Sequence, residues 1–135
     1  MNIKQILLAT LIPVAMLFAN PGFSEELVAD FRGDRPMQTD EFEVKAPWIL
    51  DWRVTGDLEG EMAVDVSLVK GEFNVHEGNV LKTKHPGNGV RLFNEGGRFF
   101  FRVDSTFAGW SLRVYQLTDE EAKLYTPKNP SILDY

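Results

Sequence analysis

Apolar and polar residues alternate with a period of two along most of this chain, from Leu27 to Leu117. Alternation of this kind puts successive side chains on opposite faces of a strand, one in a core and one in water. The most regular stretch follows Pro47. Trp48, Leu50, Trp52 and Val54 share one face there, and Ile49, Asp51 and Arg53 take the other. Met62, Val64, Val66 and Leu68 group in the same way against Ala63, Asp65 and Ser67, as do Trp110, Leu112 and Val114 against Ser111, Arg113 and Tyr115. Leu27, Ala29 and Phe31 predict a first strand, and Phe42 with Val44 a second. Residues 90–93 and 98–104 read as two strands of a hairpin joined through Asn94-Glu95-Gly96-Gly97. Residues 70–89, interrupted by Gly71, Gly78, Pro86, Gly87 and Gly89, predict only a short strand near residues 80–83.

Seven to eight short strands with turns at this spacing predict an all-β fold, an antiparallel β-sandwich or jelly roll. One helical signal follows it. Thr118-Asp119-Glu120-Glu121 has the form of a capping box, and Pro127 stops the helix it opens. The chain thus divides into a sandwich over residues 25–117 and a short helix with a C-terminal tail, residues 118–135, packed upon it.

Residues 1–24 obey no such alternation. Lys4 precedes an apolar run over residues 6–18, which is short for a membrane span, and Gly22 and Ser24 supply small residues at the −3 and −1 positions of a cleavage site. The segment reads as a signal peptide cut after Ser24, leaving Glu25 first. The expected location is the bacterial periplasm or the medium. One of the 14 basic residues, Lys4, lies in this segment, so the mature chain keeps 13 against 20 acidic ones, net −7. That balance argues against nucleic acid and anionic membranes as partners. With no cysteine, the chain has neither a disulfide framework nor a thiol nucleophile.

Strand parity also sorts the candidate chemistry. If Val90 and Leu92 point inward, Arg91 and Phe93 point outward; if Phe99, Phe101 and Val103 are core, Phe100 and Arg102 are outside, with Arg113 and Tyr115 on the last strand. Those six residues would form an arginine and aromatic surface on an acidic protein, suited to stacking on sugars or pairing with carboxylates. Leu124, Tyr125, Ile132 and Leu133 follow and could fold back over part of it. Trp52 and Trp110 lie on wholly apolar faces and are expected in the core rather than on a sugar platform, while Trp48 shares the face of Trp52 but stands at the strand start beside Pro47 and is left open. His76 and His85 lack the third and fourth ligands of a zinc site. Asp57, Glu59 and Glu61 lack the full acid set of an EF-hand and read as a solvated loop. Arg32-Gly33-Asp34 matches an integrin-binding tripeptide but reads first as a turn. Ser67, Ser105 and Ser111 stand in no nucleophile-elbow context, and no metal, cofactor or catalytic constellation is expected.

Asp65-Val66-Ser67-Leu68 after a Trp-bearing strand, Gly97-Arg98-Phe99-Phe100-Phe101-Arg102-Val103, and Gly109-Trp110-Ser111-Leu112-Arg113-Val114 together resemble the C-terminal half of bacterial pre-peptidase C-terminal domains. The resemblance runs over residues 48–114. It implies a small jelly-roll module of exported proteins that binds or aids processing without catalysis. The expected function is therefore a non-catalytic binding or accessory module for a cell-envelope glycan or another exported protein. The alternatives are an acidic inhibitor of a cationic hydrolase, such as a lysozyme or protease, and a small hydrolase.

Overall fold

The computed structural model describes residues 25–126. The expected signal segment and Ile132 and Leu133 of the tail lie outside the described residues. Nine strands run β1 (Glu26–Gly33), β2 (Met37–Gln38), β3 (Phe42–Val44), β4 (Trp48–Thr55), β5 (Ala63–Lys70), β6 (Val75–Thr83), β7 (Gly87–Phe93), β8 (Gly97–Thr106) and β9 (Gly109–Gln116), followed by a one-turn helix α1 (Asp119–Ala122) and a 3₁₀ turn (Lys123–Tyr125).

All strand pairings are antiparallel. One sheet has the order β1-β9-β4-β7, the other β2-β8-β5-β6, with β3 also on β8. β2 and β3 lie along the same edge of β8, Met37 opposite Val103 and Phe42 opposite Phe99. They amount to one edge strand broken at residues 39–41. Thr39 repairs the break: its N–H donates to the Phe101 carbonyl at 2.9 Å, and its hydroxyl accepts from the Phe101 N–H at 2.9 Å. Counted so, eight strands form two four-stranded sheets in jelly-roll order, within the all-β sandwich class that the alternation predicts.

The core lies between the sheets. Trp48, Leu50 and Val54 meet Val64, Val66, Leu68, Phe99, Phe101 and Val103 across it, with Trp110, Leu112 and Val114 from β9. Trp52, expected in the core, is only partly buried against it, and Trp48 is instead the tryptophan with no exposed surface. Phe42 packs on Trp48 edge-on, 5.8 Å between ring centres. The faces of β5 and β9 run as the alternation predicts, because each has neighbours on both sides; β4 follows it too, apart from Trp52, partly buried on the inner face, and Ile49, buried on the outer one.

Four expectations need correction, and all fall at edges or crossings. The segment through Asn94 and Gly96 is no hairpin. β7 pairs with β4 in one sheet and β8 with β5 in the other, so the loop crosses from sheet to sheet. The parity of β7 is inverted: Phe93 and Arg91 stand in register with the core residues Trp48 and Leu50, while Leu92 and Val90 stand beside Ile49 and Asp51 on the outer face. With apolar residues at 90, 92 and 93, alternation alone could not choose. A near-parallel stack of Phe93 on Trp48, 4.1 Å between centres and 9° between planes, decides. In β1 a register shift between Leu27 and Ala29 sends Leu27 outward, 50% exposed, while Ala29 and Phe31 stay inside. The irregular stretch before residue 83 is a nine-residue strand, β6, whose two register shifts against β5 erase its periodicity.

The C-terminal turn is built as its sequence predicts. Glu121 N–H donates to the Thr118 hydroxyl and Thr118 N–H to Glu121 Oε1, which closes the capping box. Leu124 points to solvent, but Tyr125 is half-buried and its hydroxyl donates to Glu25, just before β1. The phenol is pushed up to about 12 by burial first, then by that hydrogen bond and the nearby carboxylates of Glu25, Asp51 and Glu121. Its folded value lies above the unfolded one of about 10. The folded state therefore holds the proton longer, and this contribution to stability is complete below pH 10 and lost as pH rises towards 12. Tyr125→Phe is expected to remove a phenolate absorbance step near pH 12 and to flatten the fall of Tm across that window. An unchanged absorbance titration would place the perturbed phenol elsewhere.

Candidate functional site

The six residues that parity grouped on one surface occupy three places. Arg91 and Phe93 lie on the inner side of β7, at the open edge between β6 and β7. Phe100 and Arg102 lie on the outside of the second sheet, where Phe100 is buried beside Val69 and the Arg102 guanidinium lies 5.9 Å from the ring centre. Arg113 and Tyr115 lie on the outer face of the first sheet. The grouping assumed that β7, β8 and β9 were neighbours. In a jelly roll the middle one belongs to the opposite sheet.

The richest polar arrangement surrounds Arg113. Register across β1, β9 and β4 sets Arg32, Ser111 and Arg53 side by side in one row, and Asp30, Arg113 and Asp51 in the next. The two rows enclose a shallow trough of about 210 Å³ lined by Arg32, Asp51, Arg53, Ser111 and Arg113. Asp30 is gripped by Arg32 through two side-chain hydrogen bonds of 3.3 and 3.1 Å, and Arg113 stands 3.7 Å away. The Arg32 hydrogen bonds, helped by the charges of Arg32 and Arg113 and opposed by partial burial, hold its carboxyl below the usual range. Asp30 in turn raises the Arg32 guanidinium. Among the described residues Arg53 forms no ion pair. Three guanidiniums against two carboxylates leave one positive charge beside a free hydroxyl, on a chain of net charge −6. Forked N–H donors around a hydroxyl can take a carboxylate or another oxyanion.

Towards the other end of this face the surface turns apolar. Ile49, in register with Tyr115 and Leu92, is buried, and Tyr125 stands near Asp51, the next outward residue on β4. The open part of the face is thus its arginine end. Alternation places Asp51, Arg53, Ser111 and Arg113 outward without bringing them together, and the turn residues that follow Arg32 hide it from the same face. The signal was the polar half of each alternation. What was missing was that β1 and β4 both flank β9.

The remaining candidates are dispersed. Arg32 is committed to Asp30 on the sheet face, while Asp34 sits past the strand end beside Arg35, so the tripeptide is not displayed as one loop. Gly33 serves close packing: a Cβ there would lie 2.7 Å from the Trp110 ring. His85 Nδ1 lies 2.8 Å from Glu59 Oε1, and His76 is exposed on β6. Among the described residues no three His, Cys, Asp or Glu side chains converge as metal ligands. Among the described residues, too, no helix is long and apolar enough to cross a membrane. No protein-family model matches the chain, and no match is found for it among curated proteins.

Proposed function

We propose that this protein is an exported, non-catalytic jelly-roll binding module whose outer face holds a carboxylate-bearing partner, an acidic glycan of the cell envelope. The observation that carries the reading is the convergence of Arg32, Arg53 and Arg113 from three adjacent strands around Ser111. A rigid sheet fixes their spacing, which favours a ligand with repeated oxyanions over a diffuse counter-ion cloud. Export rests on the signal-like leader, and the module reading on the resemblance to pre-peptidase C-terminal domains.

Retention on immobilised polygalacturonate, with neutral cellulose as control, tests it. The double variant Arg53→Ala/Arg113→Ala is expected to bind at least about tenfold more weakly, because hydrogen bonds to charged groups contribute about 1.5–3 kcal/mol each. Arg35→Ala/Arg98→Ala removes the same charge from other sites and should bind as the wild type does. Equal losses in both variants would reduce the interaction to net charge and sink the proposal.

One observation favours a second reading, an inhibitor of a cationic hydrolase. The loop after β4 carries Asp57, Glu59 and Glu61 around an exposed Leu58, and its Gly56 abuts the backbone of Phe107, itself 67% exposed. Salt-sensitive inhibition of lysozyme, lost in Leu58→Ala/Phe107→Ala, would favour this reading over the first.

A further inference from the structure

The two edge strands β6 and β7 do not close the sandwich. Register shifts between Val66 and Ser67 and between Leu68 and Val69 bend β6 relative to β5. A cleft of about 190 Å³ opens between β6 and β7 and reaches the core itself. Its inner wall is Leu68, Val80, Phe93 and Phe99, and its rim is polar, with Arg91, Asn79, Glu77 and Glu95.

Arg91 is held there by two contacts. Its Nη1 donates to the Asn79 carbonyl at 3.1 Å, and its guanidinium lies 5.3 Å from the centre of the Phe93 ring. Among the described residues no carboxylate lies within ion-pair distance of it. The nearby acid Glu95 is 3.8 Å from Lys70 instead. A guanidinium held in place, paired with neither Glu77 nor Glu95 and set above the apolar wall of the cleft, is a receptor for a carboxylate attached to an apolar body. Size narrows the choice. A cavity of roughly 150 Å³ lined by Leu, Ile and Phe binds benzene, so this one takes a single ring or a branched alkyl group of similar bulk.

We propose that the cleft between β6 and β7 binds a small free carboxylic acid with a phenyl-sized apolar part, its carboxylate on Arg91 and its apolar part against Phe93, Leu68 and Phe99. This site is separate from the arginine face of the first sheet, so the Arg53→Ala/Arg113→Ala protein should bind such an acid as well as the wild type does.

Titration of the ¹⁵N-labelled protein with 3-phenylpropionate, followed by amide chemical shifts, tests the proposal. Saturable shifts are expected at residues 78–80 and 91–93. The corresponding amide, 3-phenylpropionamide, should bind at least tenfold more weakly. Arg91→Gln should erase the preference for acid over amide while leaving the spectrum folded. Val80→Phe, which fills the cavity, should abolish binding of both compounds. The proposal is overturned if acid and amide bind alike to the wild type, if Arg91→Gln keeps the preference, or if the shifts do not saturate at 10 mM ligand, on the order of 100-fold above a typical weak-site Kd of 0.1 mM. A peptide ending in phenylalanine that binds more than tenfold tighter than the free acid would also overturn it.

Discussion

Trp48→Ala is expected to destabilise the domain by about 3–5 kcal/mol, the range for deleting a large aromatic from a packed core. Trp48 is fully buried, stacks on Phe93 and lies edge-on to Phe42, and its indole N–H donates to the Glu95 carbonyl at 2.9 Å. Truncation therefore removes a core volume, an aromatic pair and the partner of a carbonyl in the crossing loop. Against a typical domain stability of about 5–15 kcal/mol the loss is severe. Urea denaturation measures it, and the same experiment on Phe93→Ala and the double variant isolates the stack. A coupling of about 0.5–1.5 kcal/mol is expected there. Trp110→Ala should cost as much as Trp48→Ala, for Trp110 is 4% exposed. Trp52→Ala should cost clearly less, because Trp52 is only partly buried. If Trp48→Ala melted within a degree or two of wild type, the inward face of β4 would be misassigned.

Gly96→Ala is expected to be the most damaging single-methyl addition in the loops, costing about 1–3 kcal/mol or more by overpacking. A Cβ at Gly96 would lie 2.8 Å from the Val44 carbonyl oxygen, 2.8 Å from the Ala46 nitrogen and 2.9 Å from the Lys45 Cα. All three are backbone atoms, so no side chain can swing aside. The loop from β7 to β8 must pass directly over the turn between β3 and β4 to carry the chain from one sheet to the other. That turn is itself pinned, since Gln116 Nε2 donates to the carbonyls of Lys45 at 2.7 Å and Pro47 at 3.0 Å. The backbone there cannot retreat without breaking those bonds. Thermal melting of Gly96→Ala beside Gly60→Ala separates close approach from glycine replacement in general. The backbone at Gly60 has φ +92 but nothing within 4 Å of an added Cβ, so its cost is conformational only. A smaller loss at Gly96 than at Gly60 would refute the close-approach account.

The same crossing loop marks the limit of what was legible beforehand. Asn94-Glu95-Gly96-Gly97 has the residues of a hairpin turn, yet its glycines serve a passage between sheets, with Gly97 at φ +150 and Gly96 under a neighbouring backbone. Turn chemistry reports that the chain changes direction. It does not report which strand lies alongside afterwards. The six-residue surface failed for that reason, as three strands consecutive in sequence alternate between sheets. Phe93 came to rest on the inside, with Arg91 on the same side of β7 at its exposed edge, because a stack on Trp48 outweighs an alternation that Val90, Leu92 and Phe93 leave ambiguous.

By itself the sequence determined the all-β class, most of the inward faces of β4, β5 and β9, the burial of Trp110, and the capped turn at Thr118. Each of these follows from local periodicity or local hydrogen bonding, which neighbouring residues carry among themselves. That Trp48 rather than Trp52 is the fully buried tryptophan of β4 came from the packing. Only the tertiary structure decided that β1 and β4 flank β9, that β2 and β3 share one edge of β8, and that β6 and β7 stand apart. Those relations join residues such as Arg32, Arg53 and Ser111, distant in sequence, through pairings whose register depends on the whole core. The arginine face and the cleft are both products of such pairings, because a binding site on a sandwich is assembled across strands, whereas a sequence pattern is read along them.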